Sequence, residues 1–321
     1  SEMCIRDRYR RNTKDMLVAG ATLPATLGAS VPKSNSADMK TIGWELSLGW
    51  NDRLENGFSY WVKGVLSDYQ ATITKYAGND AGFYSQSDGD GKYYVGQKIG
   101  EIWGYHSNGL FQSDDEAATI DQSELYAGKW GAGDVKYEDL DNDGKITKGE
   151  ETIYNPGDKS IIGNKTPRYQ FGITVGFDYK NFDFEMFWQG TGKRDYMLSG
   201  AQFWGFTSQW DVPYTPALDY WTETNTDAYF PRPGWQNGGN RVTSDRYLQS
   251  AAYGRLKNLT VGYTIPKNLT TKWGISRLRL YVTGENLLTI TPLNDAFDPE
   301  TLGGMTYPIN RKVAIGLNLT L

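Results

Sequence analysis

The sequence predicts an all-β protein, an antiparallel transmembrane β-barrel segment of about eight strands with long extracellular loops. Three observations predict it. First, Tyr169, Phe171, Ile173, Val175, Phe177 and Tyr179 alternate with Gln170, Gly172, Thr174, Gly176 and Asp178. A period of two gives a strand one apolar and one polar face, and about eleven tilted residues cross a bilayer. Second, the pattern resumes after a polar turn at Lys180 and Asn181. Phe182, Phe184, Met186 and Trp188 fall on one side, and Asp183, Glu185 and Gln189 on the other, with Phe187 the one exception. Third, the connections between such segments alternate long and short, as outer loops and periplasmic turns do in outer-membrane barrels. A soluble sandwich also alternates, but its strands run to about five or six residues and its loop lengths are not segregated.

The remaining elements follow the same rule. Residues 9–18 open the chain as a strand of poor alternation, and residues 19–38, rich in Gly, Ala, Ser and Pro, read as a loop. Trp44, Leu46, Leu48 and Trp50 then oppose Glu45, Ser47 and Gly49. A turn over residues 51–56 leads to Phe58, Tyr60, Val62, Gly64 and Leu66, set against Ser59, Trp61, Lys63 and Ser67. Residues 70–167 lack sustained alternation, as do residues 191–252 beyond the central hairpin. Leu259, Val261, Tyr263 and Ile265 mark the next strand. A turn over residues 266–276 separates it from Leu278, Leu280 and Val282, and a loop over residues 292–310 precedes Val313, Ile315, Leu317, Leu319 and Leu321. The polar positions Glu45, Lys63, Asp183, Glu185, Arg279 and Glu285 are expected to face a wet lumen, where charge is tolerated.

Composition narrows the function. A net charge of -5 argues against nucleic acid, which needs a basic stripe. One cysteine excludes a disulfide framework. No apolar run reaches the roughly 18 residues of a membrane-spanning helix. Residues 1–8, SEMCIRDR, carry that cysteine, Cys4, and fit nothing that follows; they are set apart as a non-native leader. An export signal is absent, so a longer protein is expected.

With these residues laid out, the chain resembles the SusC/RagA family of TonB-linked outer-membrane proteins. The matching stretches are TIGWELSLGWNDR (41–53), VGQKIGEIWGYHSNGLFQS (95–113), GDVKYEDLDNDGKIT (133–147), IIGNKTPRYQFGI (161–173), YLQSAAYGRLKNLTVGYTIP (247–266), LRLYVTGENLLTIT (278–291) and YPINRKVAIGLNLTL (307–321). The resemblance implies that residues 9–321 are the C-terminal part of a barrel of about 22 strands, without its plug domain and N-terminal strands. It also implies a Gram-negative outer membrane and import of oligosaccharide or peptide. The family's importers are driven by the TonB complex through the missing N-terminal part, and a SusD-like surface lipoprotein forms their lid. The family usually ends in an aromatic residue; Leu321 departs from that pattern. A secreted, calcium-stiffened β-rich binding or adhesion protein is the competing class.

Asp139, Asp141 and Asp143, then Gly144 and Glu150, match the calcium-loop pattern D-x-D-x-D-G-x5-E. Alternate carboxylates converge on one cation, Lys145 offers its carbonyl, and Ile146 anchors the loop. Gly131, Gly133, Gly149, Pro156 and Gly157 exclude flanking helices, so the expectation is a structural Ca2+ in an isolated loop. The plainer alternative is a turn-rich surface loop without metal. Trp103, Trp130, Trp204, Trp210, Trp221 and Trp235 lie in the outer loops, where aromatic faces stack on sugars or meet a lid. Packing of the loops is the simpler account. His106 is the single histidine and no G-x-S-x-G elbow accompanies it; no catalytic residue is assigned, and no enzyme is expected.

Overall fold

The computed structural model describes residues 2–19, 28, 32–84, 93–127, 129–205, 207–234, 237–302, 307 and 309–321. Eight strands form one antiparallel sheet: β1 (Glu2–Ala19), β2 (Lys33–Arg53), β3 (Ser59–Tyr76), β4 (Arg168–Tyr179), β5 (Phe182–Lys193), β6 (Tyr253–Thr264), β7 (Arg277–Ile290) and β8 (Lys312–Thr320). Each pairs with its neighbour in that order, and among the described residues no pairing joins β8 back to β1. The connections at residues 54–58, 180–181 and 265–276 are short; those at 77–167, 194–252 and 291–311 are long. The predicted fold class holds, and the observed strands extend beyond their predicted cores.

Register sorts the side chains into rows, because directly paired residues share a face. One row reads Val62, Val175, Met186, Leu259, Gly284 and Val313. The next reads Tyr60, Phe177, Phe184, Val261, Val282 and Ile315. Neither carries a charge, and the face is open: Ile315 is 83% exposed and Leu317 62%. Water would oppose such a surface, whereas lipid would cover it. Near the short turns this face holds an aromatic cluster, with ring centroids 5.5 Å apart for Phe58 and Phe177 and 5.1 Å for Phe177 and Phe184. Trp50 Nε1 donates to the Tyr60 hydroxyl at 3.1 Å. Amphipathic rings of this kind mark the membrane interface.

The opposite rows are polar. Lys63, Thr174, Phe187, Asn258, Glu285 and Lys312 share one, and Trp61, Gly176, Glu185, Thr260, Thr283 and Ala314 another. Asp183 and Arg279 form an ion pair there, held by Nε to Oδ1 at 2.9 Å and by a second bond from Nη2. The pair lies over Gly262, where a Cβ would collide with both side chains. Gly176 likewise leaves room for the Trp61 indole. Phe187, the exception in the pattern, packs beside Gly172 on this face.

Residues 2–8, set apart as a leader, continue β1 in the structure: Glu2 pairs with Trp50 and Arg8 with Trp44. Backbone pairing needs no particular side chain, so a stretch of any composition can extend an open edge. The chemistry of the faces is nonetheless inverted there. Glu2 and Arg6 fall in rows with Trp50 and Leu46, while Met3 and Ile5 pair with Gly49 and Ser47 on the polar face. The inversion continues past residue 8: Tyr9, whose ring lies over Gly43, falls on the polar face, and Arg10 pairs with Ile42 on the apolar one.

The assigned faces make unequal demands on substitution. Val175→Arg places a charge in a lipid-facing row and is expected to destabilise the wall by about 2–4 kcal/mol if it sits near the midplane. Its lumen-facing neighbour Thr174→Arg is expected to cost about 1 kcal/mol or less. Heat-modifiable electrophoretic mobility of outer-membrane extracts distinguishes them; equal folded fractions would refute the facing.

Candidate functional site

The long loops fold together rather than trailing from the wall. Their core contains Tyr105, Leu110, Tyr126, Val135 and Tyr137 from one loop, Leu198, Phe203, Trp204, Phe230 and Tyr247 from the second, and Leu293 from the third. Short strand pairs frame it, Glu101–Tyr105 with Lys159–Asn164, Ser107–Leu110 with Val135–Tyr137, and Asp195–Met197 with Leu248–Ser250.

Asp134 ties the first two loops. Its fully buried carboxylate accepts from Gly131 N at 2.9 Å, Arg232 Nε at 3.0 Å, Arg232 Nη2 at 2.6 Å and Asn240 Nδ2 at 2.8 Å. Asn240 returns its Oδ1 to Val135 N and the Tyr126 hydroxyl, both at 2.8 Å. The Tyr137 hydroxyl donates to Gly239 O at 2.6 Å. Burial pushes the Tyr126 and Tyr137 phenols well above the usual tyrosine range, so both remain neutral donors.

Three of the six tryptophans serve this packing, and Trp103 serves a separate cluster with Tyr84 and Tyr94. Trp103 is buried and stacks on Tyr84 with centroids 4.2 Å apart. Trp130 Nε1 donates to Ala117 O at 2.7 Å. Trp204 meets Tyr247 edge-on at 4.6 Å, and Trp221 lies over Gly133. Trp210 is 83% exposed, on a turn in which the Asp211 carboxylate accepts from Thr207 N at 2.9 Å and Ser208 N at 2.7 Å. Trp235 lies outside the described residues.

The acidic loop is organised by its own backbone. Asp139 accepts from Asn142 N at 2.7 Å and Gly144 N at 2.8 Å, while Gly144 turns at φ 83°. Asp143 Oδ1 accepts from Lys145 N at 2.8 Å. Ile146 is buried, and its N–H donates to Asp121 O at 2.7 Å. No helix flanks the loop. Ligand oxygens of Asp139, Asp141 and Asp158 lie within 4.8 Å of one another; Asp143 and Glu150 stand outside that group. Asp158 was not legible in the motif, since it follows the final motif position and arrives through the fold. Its buried carboxylate accepts from Leu140 N at 2.8 Å and Thr147 N at 2.7 Å. Burial raises the Asp158 pKa, and Asp141 and Asp139 push the same way against those two hydrogen bonds. For Asp139, burial is outweighed by the N–H groups of Gly144, Asn142 and Asp143, and its pKa falls.

His106 sits where three segments meet. Its Nδ1 is 2.7 Å from Asp245 Oδ2 and its Nε2 is 2.8 Å from Ser160 Oγ. Asp245 Oδ1 accepts from Ser107 N at 2.9 Å. In sequence His106 reads as an ordinary loop residue, because its partners stand far away in the chain with no motif linking them.

On the lumen side, Arg255 is almost fully buried and pairs with Asp298 and Glu300, the latter at 2.9 Å, tying β6 to the loop over residues 291–311. Lys312 approaches Glu285 at 3.6 Å.

Comparison with known proteins places this architecture. No family model matches the chain. It is 29% identical to TonB-dependent receptor P3 of Formosa agariphila over 343 residues, covering 98% of the chain and 32% of the relative. It is 24% identical to TonB-dependent receptor SusC of Bacteroides thetaiotaomicron, covering 98% of the chain and 29% of that protein. The RagAB peptide importer in its open-open state superposes with a TM-score of 0.74 at 20% identity, over 100% of the chain and 33% of the solved one. The resemblance drawn from the motifs is thus borne out, and the solved importer shares the fold. The chain spans about a third of the length of these relatives. They are receptors and importers rather than enzymes, as expected of a sequence without a catalytic motif.

Removing the buried carboxylate tests the loop architecture. Asp134→Ala leaves several donors without their acceptor and is expected to destabilise the loop assembly by about 3 kcal/mol. Limited proteolysis should then cleave within residues 77–167 and 194–252 while the wall keeps its heat-modifiable mobility; unchanged protease resistance would contradict the assignment.

Proposed function

We propose that the chain is the C-terminal part of the wall and outer loops of a TonB-dependent importer in a Gram-negative outer membrane. Its cargo is an oligosaccharide, with peptide, the cargo of the solved RagAB importer, the alternative. A SusD-like lipoprotein lid covers the outer loops, and the TonB complex energises the receptor through its N-terminal part. The observation that carries this reading is the wall itself: uncharged rows on one face, a polar lumen on the other, and long loops gathered into one packed assembly. The alignment of 98% of the chain to about a third of each TonB-dependent receptor supports it.

The test is uptake by cells that depend on this receptor, supplied with fluorescently labelled maltohexaose or a labelled hexapeptide. The sugar is expected to enter, and deletion of TonB to stop it. Entry of the peptide alone would reassign the cargo; TonB-independent entry of both, or entry of neither, would refute the importer.

A second reading concerns the acidic loop. We propose that Asp139, Asp141 and Asp158 hold a structural Ca2+, with Asp143, Lys145 and Glu150 completing the sphere through small loop movements. The mutual approach of three carboxylates favours it, because ionised neighbours repel unless a cation joins them. Calcium is expected to protect residues 139–158 from proteolysis, and Asp139→Ala to abolish that protection. Cleavage that is indifferent to calcium and to EGTA would remove the metal from the account.

A further inference from the structure

We propose that Ser160 is an activated nucleophile, able to take a phosphonyl or acyl group from an electrophilic donor. The starting point is connectivity. Asp245 Oδ2, His106 Nδ1, His106 Nε2 and Ser160 Oγ form a continuous hydrogen-bonded chain with links of 2.7 and 2.8 Å. With the Nδ1 proton directed to the carboxylate, Nε2 is left as the acceptor of the serine proton. A nucleophile within hydrogen-bond reach of a base, itself oriented by a third group, is the arrangement that activates a hydroxyl.

Backbone bonds hold each member. Ser160 lies in a strand and pairs with Gly104. His106 follows Tyr105, whose N–H donates to Thr243 O at 2.9 Å. Asp245 N donates to Tyr105 O at 3.1 Å, and its second carboxylate oxygen is held by Ser107 N at 2.9 Å. Three sequence-distant segments therefore fix the side chains relative to one another. The site is also reachable, since the His106 side chain is 35% exposed and that of Asp245 38%.

The step is stoichiometric modification rather than turnover, and it is independent of solute import. With a fluorophosphonate, Ser160 Oγ attacks phosphorus, and its proton passes to His106 Nε2. The P–F bond breaks, and fluoride leaves with the bonding pair. Asp245 stabilises the imidazolium that forms. No atom is oxidised or reduced.

Fluorophosphonate-biotin applied to outer membranes carrying the intact receptor tests the proposal. One label per chain is expected, located on Ser160 by peptide mass spectrometry. Ser160→Ala should abolish it, and His106→Gln should slow it about 100-fold, the scale of a lost general base. Asp245→Asn should also slow it. Heat-modifiable mobility and protease resistance confirm that each variant is folded. Absence of label on Ser160 in the unaltered, folded receptor overturns the proposal whatever the variants do. So does a labelling rate unchanged by His106→Gln, which would leave the three residues as a purely structural tie.

Discussion

The structure depends on one constraint: in hydrocarbon, a backbone N–H or C=O has no water to turn to. Strand pairing satisfies those groups, and a period of two lets each strand meet lipid on one side and water on the other. Val175 and Thr174 are adjacent in sequence yet belong to opposite environments. The same constraint pushes irregular backbone out of the membrane. Short turns join strands at one end, and the segments over residues 77–167 and 194–252 gather at the other. There they can pair among themselves or with water.

Once outside, these segments face the opposite problem. Loops of this length lose much conformational entropy on ordering, which apolar burial must offset. The chain meets this with a second core whose members come from three separate connections. Asp134 illustrates how the polar side is settled. A buried carboxylate is costly when alone, but here it is surrounded by an arginine, an asparagine and a backbone amide from both loops. Arg255 plays a comparable part lower down, fastening the third loop to β6 and its lumen-facing surface. The outer assembly is therefore an extension of the wall's own hydrogen-bonding logic, packed as firmly as the loops' own core allows.

How much of this was legible in the sequence follows from the range of each signal. The hairpin of β4 and β5 was readable almost residue by residue, because alternation is a local property and the turn at Lys180 and Asn181 interrupts it cleanly. Even Phe187, which broke the pattern, is explained only by the neighbouring strand that presents Gly172. The outer core was not readable. Trp204 and Trp221 carry no periodic label, and an exposed stacking surface and a buried packing residue look alike in sequence. The acidic loop shows the boundary most clearly: Asp139 and Gly144 form the local turn that their spacing predicts, whereas Asp158 joins only through tertiary folding. His106 has the same character, with both side-chain partners distant in the chain.

The sheet's two edges carry the remaining argument. Among the described residues, β1 and β8 each pair on one side only, so a row of backbone donors and acceptors is open at both ends of the wall. In water such edges template aggregation; in lipid each unpaired group is costlier still. The exposed row through Val313, Ile315, Leu317 and Leu319 makes an aqueous edge at β8 doubly unfavourable, because apolar surface and unpaired backbone coincide there. Eight strands can close a narrow barrel, but closure requires a shear and tilt that brings first and last strands into register. Among the described residues these eight leave that register unmade, and they superpose on part of a solved chain of about three times the length. Within the described residues the wall is thus a paired sheet with two open edges, whose polar face along β4–β7 is set opposite the apolar rows that lipid would cover.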